Sequence, residues 1–321
     1  MIQQRKRTLT DPVSGGTSSM VNTVDAIGTS NTVNALRLTD ISKHYPKGFS
    51  LDGISFDLPQ GYIMGLIGPN GAGKSTLIKL ILNMVKRDSG SIEVLGKDAL
   101  IDEEAIKQNL GVVFSSNYFY DNWNVKQVRK AMAPMYSQWD DAAFNHYLDV
   151  FKIDPKKKTK ELSRGMQTKL ALAVALSHDA KLLILDEPTS GLDVLARDEL
   201  MDILMNYIAD GLHTVLFSTH ITTDLDRSAD FITYITQGQL YFTGSKDELK
   251  EYFIIVKGGP EEIDLIRTIA VGIHTYTSGF DALIHAEDAT PQLRSTLTIE
   301  QPSIDDIIRL TNTNLTENAE R

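Results

Sequence analysis

The sequence predicts an α/β fold: a mixed, largely parallel sheet covered by helices, with a helical insertion subdomain in its middle and a small C-terminal α+β appendage. Three observations predict it. Short apolar runs suited to buried strands alternate with stretches of helical spacing from residue 35 to about 114, and again from about 179 to 245. Between them, residues 115–178 carry helical spacing at 125–136, 140–151 and 166–177 and no convincing strand. Past Ser245 the rhythm changes, with short runs at 253–256, 282–286 and 296–299 separated by helical stretches at 260–268 and 303–310.

Taken in order, residues 1–34 are rich in Ser, Thr, Gly and Asn, carry one basic cluster at Arg5-Lys6-Arg7, and have no apolar period, which predicts a disordered tail. Strands are expected at 35–38, 54–58 and 62–67, a helix at 76–85, and a half-exposed strand at 91–95. A helix at 102–108 and a buried strand at 110–114 complete the first half. In the second half, strands at 182–185, 214–218, 231–236 and 239–243 enclose helices at 194–209 and 221–229. Ser245 with Glu248 fits a capping box that opens the appendage. The expected organisation is therefore a tail over 1–34, a core over 35–245, and an accessory domain over 246–321.

The stretch Gly68-Pro69-Asn70-Gly71-Ala72-Gly73-Lys74-Ser75-Thr76 fits G-x-x-x-x-G-K-[ST] and lies between a strand and a helix. Glycines there let backbone N–H groups converge on a phosphate at a helix N-terminus. Lys74 adds a full positive charge and Ser75 a hydroxyl able to reach Mg²⁺. This makes the core a P-loop NTPase. Leu182-Leu183-Ile184-Leu185-Asp186-Glu187 then supplies adjacent carboxylates at a strand end, the first suited to hold Mg²⁺ and the second to face an attacking water. That pairing points to hydrolysis.

Composition narrows the classes further. A formal net charge of -10 over 321 residues argues against a protein whose main task is coating nucleic acid or anionic lipid. Without cysteine there is no disulfide, thiolate metal site or thiol chemistry. No apolar run approaches the ~20 residues that span a bilayer, and no signal-peptide core is expected at the N-terminus. The basic run Lys156-Lys157-Lys158-Thr159-Lys160 reads as a solvated loop before the last helix of the insertion.

Leu162-Ser163-Arg164-Gly165-Met166 resembles the signature loop of the ATP-binding cassette (ABC) family and stands just upstream of the Asp-Glu strand, as in that family. Ser190-Gly191-Leu192-Asp193 resembles its D-loop and Ser218-Thr219-His220 its switch histidine. Tyr45, in Lys43-His44-Tyr45-Pro46, falls where the family has an aromatic that stacks on adenine. The likeness covers residues 36–245 and implies ATP and Mg²⁺ as cofactors. By position, Tyr45 meets the base, and Gly68, Asn70, Gly71, Ala72, Gly73, Lys74, Ser75 and Thr76 surround the phosphates. Ser75 and Asp186 hold the metal, Glu187 acts as general base or water-orienting carboxylate, and His220 senses the γ-phosphate. In the family the signature of one subunit covers the ATP held by another, so Ser163 and Gly165 are expected to complete the site across a homo- or heterodimer, and Asp193 of the D-loop resemblance is a further expected nucleotide-binding residue.

Three positions depart from the family pattern. Ser115 stands where the family has a metal-contacting glutamine and is a candidate metal contact, with Ser116 and Asn117 beside it. Arg164 replaces the second glycine of the signature, and Met166 its final glutamine, with Gln167 one position on as a stand-in. The resemblance implies the ATPase subunit of a bacterial exporter at the cytoplasmic face of the cell membrane, driving a separate transmembrane permease through which it contacts the bilayer. The aromatic-rich segment 114–123 is the expected docking point. The sequence leaves open a soluble ABC ATPase acting on ribosomes or nucleic acid, which the acidic balance disfavours, and an ATP-gated regulatory dimer, which Glu187 argues against.

Overall fold

The computed structural model describes residues 33–46, 48–116 and 119–319, with side chains described to residue 312. The tail over 1–32 and the aromatic segment's Asn117 and Tyr118 lie outside the described residues.

The chain begins with β1 (Asn34–His44) and β2 (Ser50–Pro59), which pair antiparallel, and then β3 (Ile63–Ile67), every residue of which is buried. α1 (Lys74–Ile81) leads to β4 (Ser89–Val94), β5 (Lys97–Asp98), α2 (Glu103–Lys107) and β6 (Leu110–Val113). Next come α3 (Val125–Met132), α4 (Asp141–Val150) and α5 (Arg164–Leu176). The sheet resumes with β7 (Leu182–Asp186), α6 (Val194–Tyr207), β8 (Thr214–Thr219), α7 (Thr222–Ser228), β9 (Phe231–Thr236) and β10 (Gln239–Ser245). The end of the chain holds α8 (Lys246–Tyr252), β11 (Phe253–Gly258), β12 (Ala270–Tyr276), β13 (Gly279–His285), α9 (Pro291–Thr296), β14 (Thr298–Glu300) and α10 (Ile304–Ala319).

The central six-stranded sheet has the order β10-β9-β3-β8-β7-β6, parallel except for β10 at its edge. Every residue of β3, β7 and β8 is buried, because both faces of the central sheet are covered, as a parallel sheet requires. Loops leaving the C-terminal ends of these adjacent strands meet, and in a sheet of this kind ligands bind there. The antiparallel sheet β2-β1-β4-β5 shares one core with α1 and part of the central sheet.

Residues between β6 and β7 fold as helices, and local chemistry sets where each begins. Asn124 and Gln127 exchange reciprocal hydrogen bonds of 2.9 Å ahead of α3. The Asp140 carboxylate accepts from the Ala142 N–H at 2.7 Å ahead of α4. Such caps stabilise a helix by about 1 kcal/mol each. The capping box of Ser245 and Glu248 opens α8 as the sequence predicts.

The last segment differs from expectation in two ways. The helical stretch expected at 260–268 is a 3-10 segment, Pro260–Leu265, and the pattern does not predict β12 or α9. β12-β13-β11-β14 form an antiparallel sheet with Val256, Phe280 and Ile284 in a core of their own. Phe253, Ile255 and Leu283 instead join Ile304, Ile307 and Leu310 of α10 in the main core. The appendage is thus packed onto the central sheet.

Candidate functional site

The site begins where β3 ends. Gly73, the residue before α1, has φ 112° and ψ 2°, and a Cβ there would lie 2.6 Å from Leu51 Cδ2 and 3.0 Å from Phe49 Cζ. Only glycine suits that backbone and that space. No side chain caps the N-terminus of α1, which leaves its first-turn amides to an outside acceptor. Lys74 is 6% exposed, and its ammonium donates to the carbonyls of Gly68 at 2.7 Å and Pro69 at 3.2 Å. Burial lowers its pKa, and the charges of Glu187 and Asp186 oppose that shift.

β7 and β8 supply the acidic wall. Asp186 Oδ1 accepts from the Ser218 hydroxyl at 2.7 Å and from the Ser75 hydroxyl at 3.2 Å. The Glu187 N–H donates to Ser218 Oγ at 2.9 Å and to the Ser218 carbonyl at 3.2 Å. These bonds hold Glu187 at φ 51°, a left-handed conformation that costs a non-glycine residue about 1–3 kcal/mol and is typical of functional sites. The turn directs Glu187 into a cavity of 310 Å³ lined also by Phe49, Asn70, Gly71, Ala72, Gly73, Lys74, Ser75 and Thr76. His220 Nδ1 lies 3.3 Å from Glu187 Oε1. Behind this wall, buried Asp224 accepts from the Thr189 hydroxyl at 2.7 Å and faces Arg197 at 3.7 Å. That ties the segment after Glu187 to α7.

The donor set fits a nucleotide phosphate chain with Mg²⁺. Loop amides and a buried ammonium face the cavity, while a serine hydroxyl and a carboxylate lie 3.2 Å apart at its side.

The signature residues are elsewhere. Ser163 caps α5, its Oγ accepting from the Met166 N–H at 3.3 Å, and Asp193 caps α6, accepting from the Ala196 N–H at 2.8 Å. A Cβ on Gly165 would stand 2.7 Å from Leu192 Cδ2, so the D-loop leans on the signature loop. Ser163, Gly165 and Asp193 do not line the phosphate cavity of this chain.

Other expected residues lie differently. Ser115 lines a separate 220 Å³ hollow with Phe114, Phe119, Met132 and Arg164, and its carbonyl accepts from the Arg164 guanidinium at 3.3 Å. The Gln167 amide donates to the carbonyls of Thr159 and Leu162, which commits it to the loop before the signature. Tyr45 does not line the phosphate cavity; its ring lies 6.2 Å from that of Phe49, which does. Sequence reasoning missed Phe49. Its signal was an aromatic four residues past Tyr45, in the turn closed by the Tyr45 N–H to Phe49 O bond of 2.9 Å.

The hollow at Ser115 continues into a larger one of 660 Å³ that shares Val112, Phe114 and Tyr136 and is bounded by Met84, Glu104 and Met135. Together they form a groove between the central sheet and the helical segment. Tyr136, on its floor, stacks on His178 with centroids 3.7 Å apart and planes 10° from parallel. Burial lowers the pKa of His178 to about 4.

Residues 51–190 match the family model described as ABC transporter. The chain is 32% identical over 232 residues to the lantibiotic transport ATP-binding protein SrtF of Streptococcus pyogenes, covering 68% of this chain and 95% of the relative. It is 32% identical over 253 residues to the Nod factor export ATP-binding protein I of Sinorhizobium fredii, covering 75% and 74%. Among solved structures, the ATP-binding subunit of an ABC transporter aligns with a TM-score of 0.62 at 26% identity, over 67% of this chain and 92% of that one.

Proposed function

Because the chain belongs to the family of ABC transporter ATP-binding proteins, we propose that it is the motor subunit of a membrane exporter, in which two such subunits close around ATP and drive a separate permease. The chain is an ATPase. The observation that carries this reading is that the ends of β3, β8 and β7, adjacent in the sheet, bring Lys74, Ser75 and Glu187 to the lining of one cavity, with Asp186 3.2 Å from Ser75 and His220 3.3 Å from Glu187.

In this reading Lys74 and the amides of the glycine loop hold the phosphate chain, and positioning and charge supply most of the catalysis. Ser75 and Asp186 would hold Mg²⁺, which when bound would supply charge neutralisation for the phosphates. Glu187 orients a water for attack on the terminal phosphorus and takes its proton as the bond to the leaving diphosphate breaks. His220 holds the Glu187 carboxylate and reports the presence of the terminal phosphate.

Dimerisation is supported by what one chain leaves open. Ser163 and Arg164 are exposed, and beside them Val194 and Leu195 at the start of α6 are 70% and 76% exposed. A second copy would cover these apolar side chains and bring the signature loop over the phosphate cavity. The groove at Phe114, Met135 and Tyr136 has the shape and apolar lining to accept a helix of the permease. No helix among the described residues is long and apolar enough to cross a membrane, so in this reading the permease supplies the spans and the chain works at their cytoplasmic side. The core over 35–245 is the motor and residues 246–321 are an accessory domain.

The test is Glu187→Gln with ATP. Turnover should fall by about a hundredfold or more while ATP still binds, and size-exclusion chromatography should show a trapped dimer. Turnover near wild type would refute the role given to Glu187.

A further inference from the structure

The basic run at 156–160 has no part in the ATPase chemistry, and the fold gives it neighbours that the sequence does not reveal. Its loop is tied to the start of α3: the Lys126 N–H donates to the Pro155 carbonyl at 3.3 Å, the Val125 N–H to the Lys157 carbonyl at 3.2 Å, and Asn124 forms an isolated bridge with Lys158. Lys126 therefore stands beside Lys156, Lys157, Lys158 and Lys160, with Lys130 one helical turn further along α3, and all are exposed. Among the described residues none of these ammonium groups is in an ion pair. The acidic groups in the loop are turned to backbone, Asp154 accepting from the Lys156 N–H and Glu161 from the Lys158 N–H.

The same loop carries aromatics to the lysines. The Thr159 hydroxyl donates to the Tyr120 carbonyl and the Thr159 N–H to the Trp123 carbonyl, each at 2.8 Å. Tyr120 is 62% exposed and meets the Trp123 ring edge-on at 6.1 Å. Gln167, which lines the groove, donates to the Thr159 carbonyl, so the patch and the groove share a wall.

We propose that this patch rests on anionic lipid headgroups beside the permease. The inference depends on the reading that the groove receives a permease segment, since that turns the groove mouth and its flanking lysines toward the bilayer. Exposed lysines with long apolar stems, next to a tyrosine and a tryptophan, suit the headgroup region, where ammonium groups meet lipid phosphates and amphipathic rings sit at the boundary. Lipid is favoured over nucleic acid because a long polyanion would also meet the acidic remainder of a chain of net charge -10, and because Tyr120 and Trp123 beside the lysines suit the headgroup boundary.

The test uses the purified full-length chain without permease, sedimented with vesicles of phosphatidylcholine alone or mixed with phosphatidylglycerol. Binding is expected only to the phosphatidylglycerol vesicles, falling as salt rises. Combined Lys156→Gln, Lys157→Gln and Lys158→Gln should weaken it about fivefold per lysine while ATP turnover stays unchanged. Equal binding to both vesicle types overturns the proposal. So does a lysine variant that binds like wild type, or a chain that captures single-stranded RNA more tightly than phosphatidylglycerol vesicles in the same buffer. Purification of the wild-type chain from native membranes without a multi-span protein would count against the permease reading and leave the vesicle result standing.

Discussion

The phosphate-loop end and the signature end of this chain are built on opposite plans. At the first, side chains find their partners within the chain: Lys74 on the carbonyls of Gly68 and Pro69, Ser75 and Ser218 on Asp186, His220 on Glu187. At the second, Ser163 and Asp193 cap their own helices and otherwise face outward, with Val194 and Leu195 exposed beside them. Folding alone fixes the geometry of the first end, so its donors are preorganised before nucleotide arrives. The second offers a helix terminus and exposed apolar surface, and in the proposed dimer it would gain its chemistry when another copy covers it. On that proposal the chain carries a preformed half-site and a second one that a partner copy completes.

The sharpest way to break this contrast is to damage each half separately. Lys74→Ala removes the buried cation of the first, and turnover should fall by about a hundredfold to a thousandfold together with ATP binding, measured by phosphate release and by titration with a fluorescent nucleotide. Ser163→Arg adds bulk and charge to the second. Turnover should fall by about tenfold or more, and ATP binding to the single chain should stay within about twofold of wild type. If Ser163→Arg instead weakens nucleotide binding as much as Lys74→Ala does, the signature belongs to the same half-site and the contrast fails.

The groove offers a third comparison, between a titratable support and an apolar one. His178 is buried under Tyr136 with its pKa lowered to about 4, so the unfolded chain takes up a proton at higher pH than the folded one. Stability due to neutral His178 is fully present above about pH 6.5 and is lost as pH falls toward 4, by roughly 3 kcal/mol across that window. His178→Phe keeps a stacked ring and removes the titration. Urea unfolding in that pH range should show a shallower loss of stability in the variant than in the wild type, and parallel curves would refute this role.

What the sequence makes legible follows from how local each signal is. The glycine loop, the Asp186-Glu187 strand and the cap at Ser245 are written in adjacent residues, and each lies in the element expected of it. β12 escapes because its pattern is decided at a distance: a Cβ on Gly272 would stand 1.9 Å from the Leu310 carbonyl, so the glycine that weakens the strand signal is what lets α10 lie against it. The role of His178 is equally remote, since Tyr136, which covers it, lies on the far side of α4 and α5 in the chain. Ser115 lies apart from the phosphate cavity: Arg164 claims its carbonyl, and the hollow it lines is a separate one.

The smallest expected effect sharpens the preformed half-site at its outer edge. Sequence position assigns the base to Tyr45, yet Phe49 lines the phosphate cavity, with Tyr45 against it at 6.2 Å and the Lys43 ammonium 5.6 Å from the Tyr45 ring centroid. An aromatic contact contributes about 0.5–1.5 kcal/mol beyond its buried area, so losing one should weaken ATP binding only a few-fold. Phe49→Ala and Tyr45→Ala should each do so, and the double variant should lose less than the product of the two, because each ring supports the other. Binding of inorganic tripolyphosphate, which has no base, separates stacking from damage to the loop: it should be unchanged in Tyr45→Ala and in Phe49→Ala. If Phe49→Ala weakens tripolyphosphate as much as ATP, its ring acts by packing on Gly73 and shaping the glycine loop, and the base contact belongs to Tyr45 alone.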